Sequence, residues 1–163
     1  MKRQLGITLA GAAVALVLAA GWAWNNATPA VALPDLAALE PGDPVVGEGL
    51  YQEGCAVCHG ANLEGQPEWR SPGEDGFLPA PPHDETGHTW HHADGVLFRY
   101  VKLGGKEALA RQGLDYNSGM PGFADELSDQ QIWDILAYIK STWPERERET
   151  QASRSEAERL NQE

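Results

Sequence analysis

The chain has 163 residues, 42% of them hydrophobic, and 24 Asp and Glu against 12 Lys and Arg give a formal net charge of −12 at pH 7. That acidity argues against a nucleic-acid binder. Two cysteines in the whole sequence exclude a disulfide-rich scaffold.

The N-terminus opens Met1-Lys2-Arg3 and then runs from Leu5 to Trp24 without a charged side chain. About 20 helical residues match the hydrocarbon thickness of a bilayer, and Trp22 and Trp24 stand where an interfacial aromatic belt would lie. Residues 1–24 are therefore expected to be a membrane anchor. The rival reading is a cleaved signal peptide, which ordinarily has a shorter apolar stretch. In both cases Lys2 and Arg3 stay on the cytoplasmic side and the rest of the chain is exported. Residues 25–43, rich in Ala and Pro, read as a tether.

Residues 44–143 form the expected globular unit, of a size suited to one domain. Its first helix is predicted over Pro44–Gly54, with Pro44 at the start and Gly47 and Tyr51 on one face. Then comes Cys55-Ala56-Val57-Cys58-His59, which holds both cysteines. This is the spacing of covalent c-type haem attachment. Each thiol adds to one vinyl group of the porphyrin, and His59 reaches the iron from the proximal side. Three other readings use the same residues. A thioredoxin-like redox pair wants a preceding strand, a zinc site wants further ligands, and a disulfide across so short a loop would contribute little. The histidine after the second cysteine favours haem.

Downstream, His83, His88, His91 and His92 crowd the segment around Trp90. H-x-x-H-H can bring imidazoles together around a labile metal, but no cysteine accompanies them. The favoured reading packs Trp90 near the haem, with one imidazole hydrogen-bonded locally and the others at the surface. Arg70, Arg99 and Arg111 are candidates for pairing with a haem propionate, and a surface role fits each equally well. A second helix is predicted over Ala93–Leu103, with Val96, Leu97, Tyr100 and Val101 as its apolar face, ended by Gly104-Gly105.

Met120, in Asn117-Ser118-Gly119-Met120-Pro121-Gly122-Phe123, is the one methionine besides the initiator. Glycines beside the Met-Pro pair allow close backbone approach, so Met120 is the candidate sixth ligand. A thioether there would favour Fe(II) and raise the potential. A gap-filling role in the core, or a histidine as sixth ligand, are the alternatives. The last helix of the domain is the clearest. Ser128 and Gln131 form a capping box, Ile132, Ile135, Leu136, Ile139 and Trp143 recur at helical spacing, and Pro144 stops it. Residues 144–163 hold six Glu and four Arg. They read as a charged, solvated C-terminal tail, helical in part or disordered.

The Cys55–His59 motif, the Met120-Pro121 loop and Asp134-Ile135-Leu136-Ala137-Tyr138-Ile139-Lys140 together resemble a class I cytochrome c, specifically the membrane-anchored monohaem form of proteobacteria. The resemblance covers residues 44–143. It implies an all-α, haem-wrapping bundle, here preceded by a transmembrane helix. First and last helices would cross by packing Gly47 and Tyr51 against Ile135 and Tyr138. It further implies one haem c on Cys55 and Cys58, with His59 and Met120 as axial ligands. The role implied is that of a one-electron carrier rather than an enzyme, working between respiratory or dehydrogenase complexes on the periplasmic face of the cytoplasmic membrane. A fixed haem subunit of a larger oxidoreductase, or a small-ligand sensor or catalyst with an open iron, are the competing functions. Residues 25–143 hold 18 acidic against six basic side chains, so the docking surface of a redox partner is expected to be basic or apolar.

Overall fold

A computed structural model describes residues 33–161. The expected anchor (1–24) and the first part of the tether lie outside these residues. Among the described residues there is no strand, and no helix is long and apolar enough to cross a membrane.

Helix α1 spans Pro44–Gly54. The Asp43 carboxylate accepts from the backbone N–H groups of Val45 and Val46, satisfying donors that the first turn leaves open. Its inward face carries Gly47 and Tyr51, both buried. One turn of helix, α2 (Ala56–His59), follows directly. Helix α3 (Asp94–Leu103) buries Leu97, Phe98 and Val101. It ends at Gly104, whose φ of 78° suits a residue without Cβ, and α4 (Gly105–Ala110) begins at once. Helix α5 (Asp129–Ser141) starts with the reciprocal Ser128–Gln131 capping box and buries Ile132, Asp134, Ile135, Leu136 and Ile139.

The crossing of α1 and α5 organises the core. A Cβ on Gly47 would overlap the backbone carbonyl of Asp134, so the two helices touch backbone to backbone. Tyr51 and Tyr138 meet with ring centroids 5.4 Å apart. Around this crossing lie two apolar clusters. Tyr51, Leu63, Ile135, Ile139 and Trp143 form one, against which Cys55 and Trp90 pack. Leu97, Phe98, Val101, Ile132 and Leu136 form the other, against which Met120 and Phe123 pack. Leu127 touches both.

Two segments depart from expectation. The described end of the tether is not loose: Leu36 and Leu39 pack against the second cluster, and the Asp43 N–H donates to buried Asp134 Oδ1 at 3.0 Å. Two leucines three apart, on a short 3-10 turn at Leu36–Ala38, are enough to cover an apolar edge.

The charged C-terminal segment, expected to be helical in part or disordered, is one continuous helix, α6 (Glu145–Leu160), mostly exposed but with Glu147 and Gln151 buried. It docks through polar atoms. Ala93 gives the start of α3 no side-chain cap. Instead Ser155 Oγ accepts from Asp94 N at 3.0 Å and Glu158 Oε2 from Gly95 N at 2.9 Å. Glu158 also pairs with Arg99 at 2.9 Å. Gln151, 3% exposed, donates to Asp94 Oδ1 at 2.8 Å. The cap that α3 lacks locally is thus supplied from the far end of the chain.

Candidate haem site

Cys55 sits at the junction of α1 and α2, its N–H donating to Tyr51 O at 2.8 Å. The next turn closes on its own carbonyl, which accepts from Cys58 N at 3.1 Å and His59 N at 2.9 Å. Positions i, i+3 and i+4 of a helical turn share a face, so both thiols and the imidazole emerge on one side. Neither cysteine is bridged; Cys55 is half-buried and Cys58 exposed. Burial, and secondarily the neighbouring Cys58, push the Cys55 thiol up to about 11. That is the reverse of the acidic thiol a dithiol redox catalyst needs.

His59 is 7% exposed, and its Nδ1 lies 2.9 Å from the carbonyl oxygen of Pro81. A carbonyl only accepts, so Nδ1 carries the hydrogen and Nε2 is left bare for a metal. Burial lowers the pKa of His59, against the opposing pull of the Pro81 bond. The ring is therefore held neutral, the form that ligates.

Two stitched loops place Pro81. Gly65, at φ 68°, has Pro81 and Pro82 so close that a Cβ would meet their backbone, and its N–H donates to His59 O at 2.8 Å. The His83 N–H then donates to Leu63 O at 2.8 Å.

The His83 ring lies against that of His59, with centroids 4.0 Å apart and planes within 22°. Its Nδ1 is 2.7 Å from Thr89 Oγ1, and its carbonyl accepts from Trp143 Nε1 at 2.6 Å. Burial, then the neighbouring His59 and His88, hold its pKa well below the usual histidine value.

Across Leu127, Met120 is half-buried against the second cluster. Its loop is held mostly by backbone. The Met120 carbonyl accepts from Gly105 N at 3.0 Å, and Phe123 N donates to Val101 O at 3.0 Å. A Cβ on Gly104 would meet Gly122 N at 2.7 Å, and one on Gly122 would meet the carbonyl carbon of Leu103 at 2.6 Å. A cleft of about 200 Å³ lies between the end of α1 and the segment after Met120, lined by Leu50, Gly54, Cys55, Phe123 and Leu127, with Glu53 and Glu126 also in its wall.

The remaining candidates are engaged elsewhere. Arg70 lies over the Trp69 ring at 3.9 Å, Arg99 pairs with Glu158, and Arg111 pairs with Glu107 at 2.9 Å. His88 stacks on Trp69 and meets His92 edge-on, each pair at 5.4 Å. Among the described residues no group of three or more His, Cys, Asp or Glu converges to hold a metal ion. Trp90 packs on the cluster that includes Tyr51 and Trp143. The locally bonded imidazole is His83, and it is half-buried. Sequence reasoning did not single out Pro81, Thr89 or His83 as parts of the site, and the one signal available was Pro81-Pro82-His83 following a haem motif.

The donor set fits a c-type haem: two unbridged thiols on one helical turn, a buried neutral imidazole with its outer nitrogen bare, and a cleft at Cys55 lined mainly by apolar side chains. No curated protein matches this chain. The profile of the family described as Cytochrome c matches residues 45–143, more than half of the sequence. Membership implies a covalently bound c-type haem and haem-based electron transfer, with Cys55 and Cys58 the only cysteines able to attach it. On this match, and on the His59–Pro81 geometry beside the paired thiols, the chain belongs to the cytochrome c family.

Proposed function

We propose that this protein is a one-electron carrier with a single haem c, bound through thioethers on Cys55 and Cys58 and ligated axially by His59 and Met120. When bound, the haem supplies a one-electron iron couple; the chain's work is to hold it in one coordination state. His59 offers Nε2 because Pro81 takes the proton on Nδ1. Met120 is the sulfur donor whose loop packs on the cluster facing the Cys55 side, and a thioether that stays in place in both oxidation states keeps reorganisation small. The apolar side chains around Leu127 exclude water from the ring. The observation that carries this reading is the buried, proton-fixed His59 immediately after two thiols on one turn.

The same proposal sets the protein in the cytoplasmic membrane by residues 1–24, in the manner of anchored proteobacterial cytochromes, with the haem domain on the periplasmic face. There it exchanges electrons with respiratory or dehydrogenase complexes. The acidity of residues 25–143 and the exposure of Val57 beside the thiols support a partner surface that is basic at its rim or apolar at its centre. Such contacts are small and short-lived.

The optical spectrum of the holoprotein, oxidised and reduced, with and without carbon monoxide, tests the ligand set. A low-spin spectrum with the far-red band of methionine-ligated ferric haem, unchanged by the gas, is the expected result. High-spin features or ready gas binding would overturn Met120 as a stable ligand and favour the sensor or catalyst. Retention of the full-length protein in carbonate-washed membranes tests the anchor, and its release into the periplasmic fraction would refute it.

A further inference from the structure

The hydrogen bond from His59 to Pro81 fixes one edge of the imidazole but leaves its plane free to tip about that bond. Histidine χ2 is a broad torsion, so a single contact of this kind does not define a plane. The second constraint is the His83 ring, lying almost parallel to His59 at 4.0 Å. His83 is itself fixed at three points drawn from separate parts of the chain. Its N–H donates to Leu63 O at 2.8 Å, its carbonyl accepts from Trp143 Nε1 at 2.6 Å, and its Nδ1 meets Thr89 Oγ1 at 2.7 Å. The Thr89 hydroxyl hydrogen is directed to Pro82 O at 3.4 Å, which leaves the oxygen to accept from His83 Nδ1–H. Tyr51 closes the far side, edge-on at 6.3 Å.

We infer that His83 is a positioning residue for electron transfer: its flat ring, locked by Thr89 and Trp143, sets the plane in which the His59 imidazole faces the haem iron. The inference rests on His59 being the iron ligand. The plane of an axial imidazole selects which iron d orbital holds the unpaired electron of the ferric state, and so where spin density spreads onto the porphyrin rim through which the electron leaves. Neighbours that fix the ring orientation of a metal-bound histidine also tune the metal, and a ligand plane held by locked neighbours is pre-organised for both oxidation states.

The test is the spread of hyperfine-shifted haem-methyl proton resonances in the ferric full-length holoprotein, read with the anisotropy of its low-temperature electron paramagnetic resonance signal. His83→Leu keeps an apolar side chain but removes the flat ring. It is expected to change the order or spread of the methyl resonances while the optical spectrum stays low-spin. His83→Phe restores a flat ring without the hydrogen bond and is expected to return the pattern towards wild type. Thr89→Val unlocks the ring and is expected to give an intermediate shift. A wild-type pattern in His83→Leu, or a change in His83→Phe as large as in His83→Leu, overturns the inference. If His83→Leu yields no holoprotein, Thr89→Val decides: a pattern identical to wild type refutes it and a shifted one supports it. Failure of the underlying ligand reading has a different signature, because the wild-type protein itself would then lack the strongly shifted resonances of an iron-bound imidazole.

Discussion

His59 and Met120 are held by different means. Around His59 the contacts are between side chains and loops: a carbonyl at one ring edge, a parallel imidazole on one face, and a tryptophan 1% exposed that donates to the backbone carbonyl of that second histidine. Around Met120 the contacts are between backbones. Gly104 and Gly122 approach so closely that neither tolerates a Cβ, and Met120 is bonded through its carbonyl to Gly105. An interlock of large side chains contributes stability in proportion to the surface it buries. A glycine contact contributes shape more than energy. On the proposed ligation, the proximal wall should therefore govern how stable the protein is, and the distal loop whether the Met120 sulfur stays on the iron.

The sharpest way to break this division is Trp143→Ala, which empties the proximal wall. It is expected to cost about 3–5 kcal/mol in denaturant unfolding of the holoprotein, while the far-red methionine band survives in the protein that remains folded. Gly104→Ala strikes the other wall. A Cβ at φ 78° against the Met120–Gly122 backbone is expected to cost about 1–3 kcal/mol and, unlike Trp143→Ala, to weaken or abolish the far-red band and admit carbon monoxide. If both substitutions changed the band equally, the division would fail.

Smaller changes sharpen it further. Trp143→Phe keeps the apolar bulk and removes only the donor to the His83 carbonyl, for an expected loss of about 1 kcal/mol in urea unfolding with no change in gas binding. His92, outside both walls, serves as a control. Burial first, then His88, His91 and Arg154, lower its pKa. As pH falls below about 6.5 the unfolded chain takes up a proton that the folded protein resists, so stability declines. His92→Gln should flatten this decline between pH 7 and pH 5, measured by urea midpoints, and leave both the band and gas binding as in the wild type.

Legibility in the sequence followed the same division between local and distant causes. Helices α1, α3 and α5 were readable because their signals are local: Pro44 in the first turn, apolar spacing along Leu97–Val101, and the Ser128–Gln131 box. The Cys55–His59 motif was readable because its chemistry restricts the residue types allowed, and Met120 as a ligand belongs to the proposal built on it. The docking of helix α6 was not readable, since it is held by Gln151, Ser155 and Glu158, residues whose composition describes a solvated segment equally well. Only their partners at the start of α3, some sixty positions away, make them structural. His83 was hidden for a similar reason. In Pro81-Pro82-His83-Asp84-Glu85 nothing marks a half-buried ring, and its burial comes from Tyr51, His59, Thr89 and Trp143 converging in space. Short α4 gives too few residues for a period to show.

The contact between α1 and α5 also bears on the order in which the molecule comes into being. Asp43 and Asp134, joined by a hydrogen bond, stand 91 positions apart, and Gly47 touches the Asp134 carbonyl directly. A chain made from its N-terminus presents Cys55 and Cys58 long before α5 exists to lie across α1. Throughout that interval both sulfurs are open to a modifying enzyme. In the folded chain Cys55 is half-buried against the cluster that includes Ile135 and Ile139, and Cys58 is exposed. Attachment to both sulfurs is thus expected to be easier before the crossing closes than after it, and Gly47→Ala, which sets a Cβ against the Asp134 carbonyl, is expected to lengthen the period in which both stay open.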